Sequence, residues 1–158
     1  MSFDPKEFRN SLGNFATGVA IITVNCKNKG DLGLTVNSFS SVSLDPPLVL
    51  WSINRNSDLF DTFIGTETFT VNILNENQQD LSNQFSKKEE HSLDNYDWDR
   101  TKNGCKVVPD SLVHFDCDTY EKLDGGDHII FVGKVTHFES RNGKPLLFSQ
   151  GKYRKISD

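Results

Sequence analysis

Leu112-Val113-His114-Phe115-Asp116-Cys117-Asp118-Thr119-Tyr120-Glu121 is followed by Lys122-Leu123-Asp124-Gly125-Gly126-Asp127 and then by His128-Ile129-Ile130-Phe131-Val132-Gly133-Lys134-Val135-Thr136-His137-Phe138. The outer parts are rich in β-branched and aromatic residues, which suit a pleated, half-buried surface. The centre carries a Gly-Gly pair, a hairpin signal. The run therefore reads as two long strands folded back on each other.

The same pattern extends in both directions. Gly18–Cys26, Leu32–Val36, Leu48–Ile53 and Phe69–Leu74 read as strands, and Pro145–Ser149 as a last short one after the Arg141–Lys144 turn. Leu44-Asp45-Pro46-Pro47 breaks the chain, because proline lacks a ladder donor and restricts its predecessor. Asp4-Pro5-Lys6-Glu7 is a helix start, and Phe8, Leu12 and Phe15 continue it as an amphipathic helix over 5–15. Ser57–Phe63, with Ser57 as cap and Gly65 as stop, reads as a short helix, and Asn75–Phe85 as another. The charged stretch 87–97 reads as a solvated surface excursion. Strands follow one another mostly without a helix between them. That predicts a mainly β fold, an antiparallel barrel or sandwich with two or three short helices, over an alternating parallel sheet.

Composition narrows the classes. The chain has 158 residues, 17 Lys+Arg against 22 Asp+Glu and a net charge of −5. One domain over residues 1–158 is expected. The acidic balance argues against a nucleic-acid backbone binder. No apolar run reaches the ~20 residues that span a bilayer, and the first residues lack a signal-peptide plan. Cys26, Cys105 and Cys117 have no C-x-x-C spacing, so free thiols in a reducing cytoplasm are expected. No tight histidine ligand pair occurs among His91, His114, His128 and His137, and no metal site is expected.

Several chemistries lack their motifs. There is no G-x-G dinucleotide turn, no P-loop and no G-x-S-x-G elbow. Asp116 and Asp118 alternate on a strand and are expected together on an exposed face, a poor start for glycosidase chemistry. The informative stretch is Thr35-Val36-Asn37-Ser38-Phe39-Ser40-Ser41-Val42-Ser43, six of whose residues are Thr, Asn or Ser. Neutral hydroxyls and amides can approach a flat heteroaromatic ring without desolvating a charge. The same residues can also satisfy their own loop backbone.

Continued through Leu44-Asp45-Pro46-Pro47-Leu48-Val49, this stretch resembles the flavin reductase-like family. The resemblance runs along nearly the whole chain. Phe15–Thr23, Phe69–Leu74 with Leu81–Ser86, Gly126-Asp127-His128 through Val135, Pro145-Leu146-Leu147 and Gly151-Lys152-Tyr153 match in order. The resemblance implies a split β-barrel, a homodimer, bound FMN or FAD, and NADH or NADPH as hydride donor. It implies a reductase that supplies reduced flavin to a separate monooxygenase.

By that resemblance Thr35, Val36, Asn37 and Ser38 line the isoalloxazine. Ser52, Ile53, Asn54 and Ser57 follow the ribityl chain toward the phosphate, and Phe85 and Ser86 lie near the cofactor. Ser57 at a helix start would also favour an anion, with Arg55 as a neutralising charge. His128, with Gly151, Lys152 and Tyr153, receives the nicotinamide. No residue is assigned to acid–base catalysis. Two other readings stand beside this one. A non-catalytic flavin-binding module, an electron carrier or flavin store, needs no nicotinamide group. A split-barrel oxidase of a phosphorylated vitamin calls for more Arg and Lys around the pocket.

Overall fold

The computed structural model describes residues 2–157. Helix α1 spans Pro5–Leu12, and Asp4 Oδ1 accepts from the backbone N–H groups of Lys6 and Glu7. It is shorter than the predicted 5–15 because the chain turns out at Gly13. Its apolar positions do not enter the core: Phe8, Leu12 and Phe15 are all exposed.

Ten strands follow, not seven. They are β1 (Thr17–Gly18), β2 (Ala20–Cys26), β3 (Gly30–Val36), β4 (Ser40–Leu44), β5 (Pro47–Asn54), β6 (Thr68–Ile73), β7 (Val113–Gly125), β8 (His128–Ser140), β9 (Leu147–Ser149) and β10 (Lys152–Arg154). Seven form one antiparallel sheet in the order β3-β2-β6-β7-β8-β5-β4, and β1-β9-β10 form a small second sheet. The large sheet coils around a core of Trp51, Phe63, Phe69 and Phe131, with Trp51 stacked on Phe131 at 4.8 Å. Its edge strands β3 and β4 are consecutive in the chain and joined only through residues 37–39, so the barrel is split at that corner.

The β7–β8 hairpin is longer than the sequence suggests. Pairing runs to Gly125↔His128, leaving only Gly126 and Asp127 in the loop. Gly126 takes φ +69°, as the first position of a II′ hairpin turn requires. The ladder shifts register twice, at Asp116/Cys117 and at Thr119/Glu121, and such bulges let long strands curve around a barrel. Around the first bulge Asp116 is buried whereas Asp118 is exposed, so the two carboxylates do not share a solvent face. Burial pushes the Asp116 carboxyl up, against the pull of His114 and His137.

Strand β2 is buried on both faces. Ala20, Ile22 and Val24 face the barrel, while Ile21 joins Phe85, Leu93, Val108 and Leu146 in a second apolar cluster outside it. The cover over that face comes from residues 85–111. This corrects the solvated excursion expected at 87–97 at His91 and Leu93, which are buried, while most of the stretch is exposed. Leu93 is fully buried and its N–H donates to Asp31 O, and His91 bonds Gly33 O through Nδ1 and faces Asp58 through Nε2 at 3.0 Å. Burial opposes ionisation of Asp58, but the Glu89 N–H and His91 outweigh it and hold the carboxyl below its usual value.

Asp31 pins the cover. Arg100 reaches both of its oxygens at 2.7 Å, Asn25 donates at 2.8 Å and Lys106 Nζ stands 3.6 Å away. Lys106 also donates to the carbonyls of Leu93 and Tyr96, at 2.8 and 2.6 Å. The Arg100 bonds hold the Asp31 carboxyl below its usual value despite its burial. All three cysteines are free thiols, Cys105 and Cys117 buried and Cys26 half-buried. Burial pushes the Cys105 thiol up to about 11 and Cys117 up as well.

The other helices are α2 (Phe60–Ile64) and α3 (Gln79–Gln84). Helix α2 starts three residues later than expected, after Leu59, so Ser57 is not its cap. Ser57 Oγ instead accepts from the Leu59 N–H in a turn before the helix. Strand β10 escaped the sequence reading because its hairpin turn is Gln150-Gly151, both at positive φ, and not a familiar Asn-Gly or Asp-Gly pair. Strand β4 escaped because a Ser-rich edge strand has no buried face to impose an alternating pattern.

Two outcomes follow from this packing. A Cβ on Gly133 would stand 2.6 Å from Phe69 Cζ and 3.0 Å from Cys117 Cβ. Gly133→Ala should therefore lower stability by about 1–3 kcal/mol in urea unfolding. Asp31→Asn removes the partner of buried Lys106 and should cost roughly 3 kcal/mol near neutral pH. Because the folded carboxyl is depressed, its contribution is complete above the unfolded value of about 4. It is lost as pH falls through the folded value, so the gap between wild type and variant should narrow below about pH 4.

Candidate functional site

The split corner is surrounded by three hollows that share Asn37. The first, about 250 Å³, brings together Thr35, Val36, Asn37 and Ser38 with Ser52, Ile53, Asn54 and Ser57, and adds His128. The second, about 260 Å³, lies on the other side of β3. There Thr35, Val36 and Asn37 meet Ser86 and Tyr153, together with Val19, Ser82 and Phe148. The third, about 850 Å³, lies between the end of α1 and the β9–β10 turn and includes Gly151.

The bend is held from behind by its own hydrogen bonds. The Thr35 N–H donates to Phe85 O at 3.1 Å, and the Thr35 hydroxyl donates to Ser82 O at 2.8 Å. The Ser38 hydroxyl donates to Ser52 O at 3.2 Å and accepts from the Ser52 N–H at 2.9 Å. This two-way clamp joins the corner to β5. Asn54 Oδ1 accepts from the Asn56 N–H, which fixes the turn after β5. The exposed Asn37 amide makes no hydrogen bond within the chain among the described residues. A donor and an acceptor are thus left at the junction of the three hollows.

Several predicted site residues stand elsewhere. Phe85 is fully buried, packed against Tyr96 and Trp98. Its side chain reaches no hollow, and it serves the site only through the carbonyl that holds Thr35. Ile53 lies almost wholly in the barrel core, so it presents backbone to the site. Lys152 is exposed on β10 and lines none of the three hollows.

His128 and Tyr153 were grouped in the sequence, but within the chain they line different hollows. His128 stands with Ser52 and Asn54, its Nδ1 2.7 Å from Asp127 Oδ1, and it holds the Asp127 carboxyl below its usual value. Tyr153 lies across β3, its hydroxyl 2.7 Å from Ser82 Oγ and donating to Asn83 Oδ1 at 3.1 Å. Arg55 is committed to Asp124 and to Gly126 O on the hairpin, and lines none of these hollows. Since Ser57 also precedes the helix, the helix-start anion site expected there is not formed.

Among the residues missed by sequence reading are Leu34 on the first hollow, Val19, Ser82 and Phe148 on the second, and Gln150 on the third. Val19 carried no signal, because Gly18–Cys26 reads as one strand and only the fold breaks it there. Chemically, the corner offers neutral donors and acceptors beside apolar Val36 and Phe148. No Lys or Arg lines the first or second hollow. That donor set fits the uncharged edge of a flavin ring, and it leaves a flavin phosphate to hydroxyls and amides.

Comparison with known proteins gives the family and the fold. The flavin reductase-like domain model matches residues 12–157. An FMN reductase (NADH), SmoA, of Agrobacterium fabrum is 41% identical over 152 residues, 96% of this chain and 86% of that protein. A probable flavin reductase of Rhizobium meliloti is 36% identical over 96% of this chain, which spans only 49% of its length. Among solved structures, flavin reductase PheA2 superposes with a TM-score of 0.90 at 36% identity, covering 99% of this chain and all of that one. The Streptomyces globisporus NADH:FAD oxidoreductase SgcE6, in complex with NAD and FAD fragments, gives 0.91 at 31% identity, covering 99% and 97%.

The Ser38 clamp yields a direct test. Ser38→Ala leaves the Ser52 N–H without its partner and should cost about 1–3 kcal/mol in thermal or urea unfolding. Ser86→Ala, at an exposed rim position, should stay within about 0.5 kcal/mol of wild type.

Proposed function

The chain belongs to the flavin reductase-like family, and we propose that it is an NAD(P)H:flavin oxidoreductase acting as one domain over residues 1–158. The observation that carries the reading is the unengaged Asn37 amide at the meeting point of three hollows, on a bend whose other polar groups are already fixed. A bound flavin would supply the redox chemistry, as acceptor of a hydride from a nicotinamide.

The chain's own part is binding and orientation. Asn37 meets the polar edge of the ring, Val36 gives it an apolar contact, and Thr35 and Ser38 keep the bend rigid. Ser52, Asn54 and Ser57 hydrogen-bond the ribityl arm. Holding the two rings within reach of each other would be the main catalytic task of these residues, and no acid or base need touch the transferred hydride. Tyr153 and Gly151, across β3, border the nicotinamide. His128 reaches its carboxamide or phosphate from the hairpin tip.

With no Lys or Arg in the small hollows, a flavin phosphate is held by neutral donors. That suits FMN or FAD that exchanges as a substrate, more than a fixed prosthetic group. It also disfavours the vitamin phosphate oxidase reading. Reduced flavin then leaves for a separate monooxygenase. The names of two relatives, an FMN reductase (NADH) and an NADH-dependent FAD reductase, favour NADH as donor, and the name of a third, the reductase component of a trigonelline monooxygenase, supports a separate oxygenase. A cytoplasmic location accords with the free thiols and with the lack of any described helix long and apolar enough to cross a membrane. A homodimer accords with the exposed Phe8, Leu12 and Phe15, the last two bordering the third hollow.

The decisive assay follows NADH loss at about 340 nm, the nicotinamide band, with FMN and then FAD. Turnover with at least one is expected. Flavin binding without turnover under any pairing would favour the storage or carrier module. Asn37→Ala should raise the KM for flavin about tenfold, the loss of roughly one hydrogen bond to a ligand at ~1.4 kcal/mol. His128→Ala should raise the KM for NADH several-fold while that for flavin holds. A rise confined to flavin would assign His128 to the ribityl arm instead.

A further inference from the structure

A second cluster of chemistry-bearing side chains lies far along the β7–β8 ladder and plays no part in the site above. His114 stands opposite Glu139, and Asp116 opposite His137. Because residues two apart on a strand share a face, these four form a square on one side of the hairpin. His137 is nine residues from His128, about 30 Å of strand. One ligand atom each from His114, His137 and Glu139 falls within 4.8 Å of the others. His137 Nε2 and Glu139 Oε1 are already 3.4 Å apart. The rings of His114 and His137 are 6.3 Å apart and inclined at 51°, so they are not stacked on each other.

A separate observation points to a cation. The Asp116 side chain is 3% exposed, yet its carboxylate is poorly served. Its hydrogen-bond donor among the described side chains is the Thr70 hydroxyl, at a long 3.5 Å. That hydroxyl has one proton and also stands 3.4 Å from Asn103 Oδ1. The other neighbour is His114 Nε2, 4.0 Å from Asp116 Oδ1. A buried carboxylate is normally paired or fully hydrogen-bonded. An ion between His114 and His137 would give it the missing positive charge.

We propose that His114, His137 and Glu139, with an Asp116 oxygen as the fourth ligand, bind one Zn2+ on the outer face of the β7–β8 hairpin. Two imidazoles and carboxylate oxygen suit zinc better than magnesium or calcium, which prefer all-oxygen shells. Zinc holds such ligands at about 2.0–2.2 Å, which puts tetrahedral neighbours roughly 3.3 Å apart. The pair His137–Glu139 already meets that spacing. His137 and Glu139 are 46% and 66% exposed, so their side chains can swing to close the rest around the fixed His114 and Asp116. The site does not depend on the redox reading, because none of its residues borders the Asn37 hollows.

The test uses the untagged full chain, stripped with a chelator and titrated with Zn2+ against a chromogenic zinc indicator. One equivalent per chain is expected. His137→Ala and Glu139→Ala, both at the solvent side, should each weaken binding at least tenfold while the far-UV spectrum stays native. Asp116→Asn should weaken it less if its oxygen is merely adjacent, and as much if it is a ligand. The second result is the one expected; the first removes Asp116 from the ligand set. Loading with Co2+ should give visible ligand-field bands without an intense near-ultraviolet thiolate band. Binding well below one equivalent, binding undiminished in His137→Ala and Glu139→Ala, or a thiolate band from Cys26 would overturn the proposal.

Discussion

The structure depends on the ionised Asp31 and the cations gathered on it. Strand β2 is apolar on both faces, so a coiled sheet alone would leave Ile21 and its neighbours in water. The segment from Phe85 to Ser111 must lie over them, yet most of that segment is polar. Its apolar anchors, Leu93 and Val108 among them, are spaced by charged residues with no helical or strand period. What orders it is a polar knot on a buried carboxylate: exposed Arg100 and buried Lys106 on Asp31, with Lys106 also holding two carbonyls of the cover. Such a knot contributes little net energy over an apolar equivalent, but it permits only one placement of the loop.

The same cover reaches the functional corner. Its first residue, Phe85, accepts from the Thr35 N–H, and the helix before it accepts from the Thr35 hydroxyl. The bend is thus fixed from the outer layer, while Ser38 fixes it to β5 from the barrel side. Two independent attachments at neighbouring residues leave Asn37 between them as the polar group with freedom to meet a ligand. Preorganisation of this kind lowers the ordering cost of binding.

Much of this was legible in the chain. Long β-branched runs, the Gly125-Gly126 turn and the Asp4 cap announced antiparallel strands and the first helix, because each is set by local sterics. The Thr35–Ser38 stretch could be located because its polarity interrupts apolar strands. Phe85 could not be placed correctly, since a phenylalanine next to a predicted pocket looks the same whether it lines that pocket or backs it. His128 and Tyr153 were grouped by family order, and only folding shows that β3 stands between them. The cluster at His114, Asp116, His137 and Glu139 shows locally only as two pairs of residues two apart. What joins the pairs is cross-strand register, His114 opposite Glu139 and Asp116 opposite His137, which no single stretch of sequence encodes.

The two tryptophans have an optical consequence. Trp51 lies fully buried in the barrel interior, stacked on Phe131, with its indole N–H unpartnered among the described residues, whereas Trp98 sits half-buried in the outer cover beside Tyr96. Each layer therefore carries its own intrinsic fluorophore in a distinct polarity. Emission colour can report loosening of the outer sheath separately from collapse of the cylinder beneath it.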